Sequence, residues 1–281
     1  MTGRQESSLK QETLSSLIWK LFERGGNAVV QLTVQIVMAR LLAPEEFGAL
    51  AIILVFVNIG NAIVQSGLNT SIVQAQTVED SDLSTVFWLS FGTSIVLCLL
   101  VYISAPAIAS FYTLDYLIWP LRVMGFLLLV TAFNSVQVAI VQRELKLRKV
   151  FNATIAAVIV SGIAGIVAAT AGAGLWALVL QQLIYQFSNC LFLGLQVKWF
   201  PKPNFNRSKA RKHFSFGWKL LVSGLLDQGY QSLSDLIIGK QFSASDLGLV
   251  SQGKKVPPGS GGHVGWGNSA CHAISYFACS G

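Results

Sequence analysis

Residues 20–48 read KLFERGGNAVVQLTVQIVMARLLAPEEFG. The run is mostly apolar and long enough to cross a bilayer, since a spanning helix needs roughly 20 apolar residues. Yet it carries Lys20, Glu23, Arg24, Asn27, Gln31 and Gln35. Lys20, Arg24, Asn27, Gln31 and Gln35 step by three or four, so a helix places them on one face. Arg40 closes the span, and Ala43-Pro44-Glu45-Glu46-Phe47-Gly48 turns the chain. Pro44 suits the first turn of the next helix, and the two glutamates favour its positive end.

The same design returns at residues 219–248, KLLVSGLLDQGYQSLSDLIIGKQFSASDLG. A shift of 240 − 40 = 200 positions sets Lys240 on Arg40, Asp246 on Glu46 and Gly248 on Gly48. It also sets Asp227 on Asn27, Gln231 on Gln31 and Asp235 on Gln35. Stripe and exit turn repeat together, which reads as an internal duplication.

Hydrophobic residues make up 53% of the 281, charged residues only 12%, and the mean hydropathy is +0.57. Soluble domains carry roughly 25% charged residues, so the composition reads as an integral membrane protein. The net charge of +7 does not point to nucleic acid, because the basic residues sit in short loops where membrane topology accounts for them. Cys98 and Cys190 lie in apolar runs and read as small buried residues. The polar start MTGRQESSLKQETLSS lacks a signal-peptide apolar region and reads as a cytosolic tail, residues 1–15.

Seven spans are expected, at about 16–42, 45–68, 83–111, 116–141, 150–171, 175–197 and 214–242. The fold class is all-α, a multi-pass helical membrane bundle: a six-helix lobe over 16–197, a basic linker over 198–213, and a seventh helix opening a second lobe over 214–249. Lysines and arginines gather in the tail, in the loop from Arg143 to Lys149 and in the linker from Lys198 to Lys212. The positive-inside rule assigns those segments, and the N-terminus, to the cytoplasm. The acidic 2–3 loop joins them by alternation alone. Trp88, Trp119, Trp176, Trp199 and Trp218 fall near span ends, as an interfacial belt would have them. Six spans per repeat is an even number, so two repeats enter the membrane in the same sense, with a cavity between two bundles.

After about Gln252 the chain reads GKKVPPGSGGHVGWGNSACHAISYFACSG and helical periodicity stops. The expectation is that residues 250–281 form an aberrant or disordered tail, foreign to the fold, cutting short the second repeat. The alternative is a genuine flexible terminus.

Ionisable residues inside spans are costly and suggest function. Arg24 is placed to hold a phosphate in bidentate geometry; the other readings are pairing with Glu23, Asp227 or Asp235, or snorkelling to the headgroups. Asp227 and Asp235 suit a coupling proton or sodium ion, or a wet outer end. Uncharged stripes lie on span 2 (Asn58, Asn61, Gln65), span 4 (Asn134, Gln137) and span 6 (Gln182, Gln186, Asn189). Singly such amides glue helices; together they favour a shared wet interior. Ser161 and Gly165 have the spacing of close helix packing. No catalytic, P-loop or metal-ligand motif occurs, so neither an enzyme nor a cofactor is expected.

The run ARLLAPEEFGALA after a helix with an internal arginine, with its echo KQFSASDLG, resembles the polysaccharide transporter family. These are flippases and exporters of lipid-linked saccharides for lipopolysaccharide, capsule and teichuronic acid, within the multidrug/oligosaccharidyl-lipid/polysaccharide exporter superfamily. The resemblance covers residues 14–249 and is most specific from Arg40 to Gly48. It implies a two-lobed exporter in the plasma (inner) membrane, moving an undecaprenyl-type lipid-linked oligosaccharide by alternating access, with polysaccharide assembly proteins as further partners. Arg24 and Lys20 would attract the phosphates; Asn27, Gln31 and Asn61 would contact sugar hydroxyls; Asp227 or Asp235 would couple an ion. The alternatives are a multidrug-type exporter of the same superfamily, or a truncated remnant or assembly partner without transport of its own.

Overall fold

The structure, a computed structural model, describes residues 29–65, 72, 79–143, 147–197, 199–202, 207–241 and 244–255. Its helices are α1 (Val29–Leu41), α2 (Pro44–Gln65), α3 (Asp80–Tyr112), α4 (Ile118–Gly125), α5 (Leu127–Arg143), α6 (Leu147–Thr170), α7 (Leu175–Val197), α8 (Arg207–Gln241) and α9 (Ala244–Lys255), with a 3-10 turn at Asp115–Leu117. Among the described residues five segments are long and apolar enough to cross a membrane: Pro44–Gln65, Asp80–Tyr112, Asp115–Arg143, Lys149–Thr170 and Leu175–Val197. The protein is an all-α, multi-pass membrane protein.

Local chemistry sets the helix ends. Pro44 is the first residue of α2, where its missing N–H costs nothing. Glu46 reaches back to accept from the Ala43 amide at 3.2 Å, tying down an otherwise orphaned donor. At the start of α3, Glu79 and Asp82 form a reciprocal capping box, with the Glu79 amide donating to Asp82 Oδ2 at 2.9 Å. Thr113 ends α3 in the left-handed region at φ 58°. The turn between α6 and α7 uses Gly172 (φ 78°) and Gly174 (φ 54°), a backbone that glycine adopts without steric cost.

Three segments depart from the sequence expectation. The span expected over 116–141 is one segment, Asp115–Arg143, but its helix is interrupted at Phe126, where backbone bonds Phe126 N to Val123 O and Leu129 N to Phe126 O close tight i−3 turns. Gly125 sits at that break against Val101 of α3. The seventh span is helical but does not belong to the five long apolar ones; its polar stripe and basic first turns lower its hydropathy. Helix continues to Lys255, three residues beyond the expected end of periodicity.

Between helices in lipid there is little hydrophobic drive, so close packing of small side chains does the holding. Ala49, Ala105, Ala109, Ala139, Ala153, Ala157 and Ala177 are accordingly fully buried. Gly162 of α6 packs on Val34 of α1, and Gly165 on Gln181 of α7 at a separation that leaves a β-carbon 3.0 Å from that side chain. The main core joins α1, α2, α3, α4, α7 and α9 through Met38, Ile52, Ala109, Leu121, Leu178 and Leu247.

Two sets of loops mark opposite ends. At one end Gly174 lies against the Glu46 carboxylate and Lys240 Nζ donates to the Phe111 carbonyl at 2.6 Å. At the other, Arg143 donates to the Ile72 carbonyl at 3.1 Å, Lys149 to Gln196 at 2.9 Å, and Lys202 meets Asp80 at 2.8 Å. The acidic start of α3 thus shares an end with the basic connections, as alternation along the chain requires.

Candidate functional site

Lys20, Arg24 and Asn27 lie outside the described residues. Gln31 is exposed on α1 and Gln35 half-buried. Asn61 is half-buried on α2, with its Oδ1 buried and without a hydrogen-bond partner; Asn58 and Gln65 are exposed. On α8, Asp227 is exposed and accepts from Gln231 Nε2 at 3.0 Å. Gln228 and Ser232 bond in the same i, i+4 relation at 3.1 Å. Asp235, two turns on, is half-buried and engaged by a partner.

The stripes of α5 and α7 face each other. Gln186 Nε2 donates to Thr131 Oγ1 at 2.9 Å. Gly194 leaves room for Gln137, whose Nε2 would stand 3.0 Å from a β-carbon there. Gly60, next to Asn61, packs on Leu128 of the same helix α5. Within this region Asn61 Oδ1, Asn134 Oδ1, Gln137 Oε1 and Asn189 Oδ1 are buried and accept nothing from the described residues. Buried acceptors without donors are rare, because each forfeits its hydration. Four on three adjoining helices make a polar interior that calls for outside donors, such as water or the hydroxyls of a bound molecule.

At the loop end that holds Lys240, a cavity of about 570 Å³ opens between α2, α3 and α8, lined mostly by apolar side chains including Phe56, Ile108 and Leu236. Lys240 closes its rim, with Nζ 4.1 Å from the centre of the Phe111 ring. No group of three or more His, Cys, Asp or Glu that could hold a metal occurs among the described residues.

Sequence reasoning passed over Arg122. It stands on α4 inside a segment apolar enough to span, with its guanidinium carbon 4.4 Å from the Tyr102 ring centre and 5.3 Å from that of Trp119. The signal was present: an arginine within a span is a functional suspect wherever it falls.

Helix α2 packs on α9. Helix α2 starts at Pro44 and α9 at Ala244, 244 − 44 = 200 residues later. The two helices cross at Gly48 and Gly248. The Ala244 carbonyl occupies the place of a β-carbon on Gly48, and the Pro44 carbonyl that of one on Gly248. Each helix presents a glycine to the carbonyl at the start of the other, a reciprocal contact.

A family model described as polysaccharide biosynthesis protein matches residues 37–258. The chain is 24% identical to the Escherichia coli K12 lipopolysaccharide biosynthesis protein WzxC, over 89% of this chain and 52% of that protein. It is 25% identical to the Bacillus subtilis 168 teichuronic acid biosynthesis protein TuaB, over 67% of this chain and 40% of that one. It is 24% identical to the Rhizobium meliloti 1021 succinoglycan biosynthesis transport protein ExoT, over 83% and 47% respectively. The chain spans about half the length of these relatives. No solved structure matches it.

Proposed function

The chain belongs to the polysaccharide biosynthesis protein family, and on that premise we propose that it takes part in moving a lipid-linked oligosaccharide across the plasma membrane, by transport and not by catalysis. Residues 16–197 are its first six-helix lobe, 198–213 a cytosolic linker, and 214–249 the opening of a second lobe; the N-terminus is cytoplasmic. The observation that carries the reading is the reciprocal packing of α2 on α9 at Gly48 and Gly248. On this reading it joins corresponding helices of two repeats at the closed side of an alternating-access carrier.

The orphaned carboxamide oxygens of Asn61, Asn134, Gln137 and Asn189 supply acceptors that a hydroxyl-rich cargo would satisfy. Gln31 adds the same chemistry on α1; Asn27, before it in the sequence, is a further amide for the cargo, and Lys20 and Arg24 suit the phosphates of the lipid carrier. Asp227 and Asp235 on α8 are the acidic groups available for ion coupling. Polysaccharide assembly proteins are the further partners this role implies.

The test is complementation of a strain lacking its oligosaccharide flippase. One arm expresses the chain as it stands; the other completes the second lobe from a relative. Surface polysaccharide restored in either arm supports the reading. Accumulation of lipid-linked saccharide on the cytosolic leaflet in both arms, with each protein inserted, overturns it.

A further inference from the structure

We propose that Arg122, Tyr102 and Trp119 form a site for the phosphate group of a bilayer lipid in the leaflet at the Thr113 end of the bundle. The site lies apart from the amide-lined interior, and the inference does not rest on the export reading.

Arg122 is seven residues beyond Asp115 (122 − 115 = 7), about 10 Å into a segment that spans at 1.5 Å per residue. Its helix turns Pro120, Leu121 and Met124 inward. The opposite face carries Trp119, 63% exposed, and Phe126, 51% exposed, beside Tyr102 at 41% and Ile103 at 74% on α3. That apolar, outward face is one for lipid chains, and a guanidinium on it needs an anion. The described residues supply none: Arg122 has no ion pair among them, and its Nε is buried without a hydrogen-bond partner.

What the protein does supply are two aromatic rings close to the guanidinium, at 4.4 and 5.3 Å. The face of a ring attracts a cation without accepting its N–H bonds as a carboxylate would, so two N–H groups of the guanidinium remain for two oxygens of one phosphate. Helical side chains tilt toward the N-terminus of their helix, which here carries Arg122 back toward the headgroups at the Thr113 end. An exposed tryptophan beside it is the residue that anchors at that depth. Together these are a charged donor, its aromatic support and a lipid-facing wall for the acyl chains.

The experiment is native mass spectrometry of the purified full chain, titrated separately with phosphatidylglycerol, with diacylglycerol and with polyprenyl diphosphate. Phosphatidylglycerol should bind, and diacylglycerol, which lacks the phosphate, should bind at least about tenfold more weakly, the scale of one charge-assisted pair. Arg122→Ala should lose the phosphatidylglycerol preference. Arg122→Lys should recover only part of it, because an ammonium has no bidentate edge. Equal binding of phosphatidylglycerol and diacylglycerol by the unsubstituted protein overturns the proposal without depending on any variant. An unchanged preference in Arg122→Ala also overturns it. Strong preference for polyprenyl diphosphate over phosphatidylglycerol assigns the site to the lipid carrier and overturns the bilayer-lipid assignment.

Discussion

Gly48 and Gly248, 200 residues apart in the chain, pack into each other's helix. The space that a β-carbon would take on either is filled by a carbonyl oxygen from the opposite helix start, Ala244 in one case and Pro44 in the other. Backbone, unlike the end of a flexible side chain, cannot move aside to admit a methyl group. The contact therefore depends on both residues lacking a side chain.

Gly48→Ala and Gly248→Ala should each destabilise the protein by about 1–3 kcal/mol, the range for overpacking. Thermal unfolding in detergent should show similar losses for both, because the contact is reciprocal. The double variant should lose less than the sum, since one separation of α2 from α9 relieves both clashes. Additive losses would mean that the two sites do not share a contact.

Gln186 and Thr131 join α7 to α5 through one hydrogen bond. Thr131→Val keeps the shape and removes the hydroxyl. Its cost should be about 0.6–2 kcal/mol, the range for such bonds between membrane helices. In a Gln186→Leu background the same substitution should cost almost nothing. A double-mutant cycle on unfolding free energies checks both values.

Asn134 Oδ1 is buried and accepts nothing. An orphaned acceptor contributes no bond, and removing it relieves a desolvation penalty. Asn134→Leu should therefore leave stability unchanged or raise it, by up to about 1 kcal/mol. If the oxygen serves a hydroxyl-rich cargo, polysaccharide export should fall in the same variant. Melting temperature and export measured side by side separate a structural role, in which stability drops, from a binding role, in which only export does.

Thr113 ends α3 at φ 58°, a region that a β-branched residue enters at a cost of about 1–2 kcal/mol. Its hydroxyl donates to the Tyr112 carbonyl at 2.6 Å, recovering part of that. Thr113→Gly should be neutral or stabilising by up to about 1 kcal/mol, after the extra entropy of glycine in the unfolded chain. A substantial loss of melting temperature would show that the hydroxyl bond outweighs the backbone strain.

Much of this architecture is legible residue by residue. Pro44 with its two glutamates marks the start of α2, and Gly172-Ala173-Gly174 marks the turn into α7. Ser161 and Gly165 announce a tight helix contact by their size alone. The break at Phe126 was not legible. No local pattern separates Gly125, beside it, from a glycine tolerated in a continuous helix. Arg122 was legible by rule, as a charge inside a span, but its ring partners were not. Tyr102 is twenty positions away on another helix, and only the pairing of α3 with α4 brings it to the guanidinium.

By itself the sequence determined what each stretch does with respect to lipid. Transfer of a helix into a bilayer is close to a sum over its own residues, and charge in the connecting loops biases their side. Hydropathy, caps and repeat register are therefore one-dimensional properties. Only the tertiary structure decided which polar groups find partners: Gln186 meets Thr131, whereas Asn61, Asn134, Gln137 and Asn189 keep unpaired oxygens. Those outcomes turn on the rotation and approach of neighbouring helices, and a one-residue change in rotation, about 100°, would send each stripe to a different neighbour.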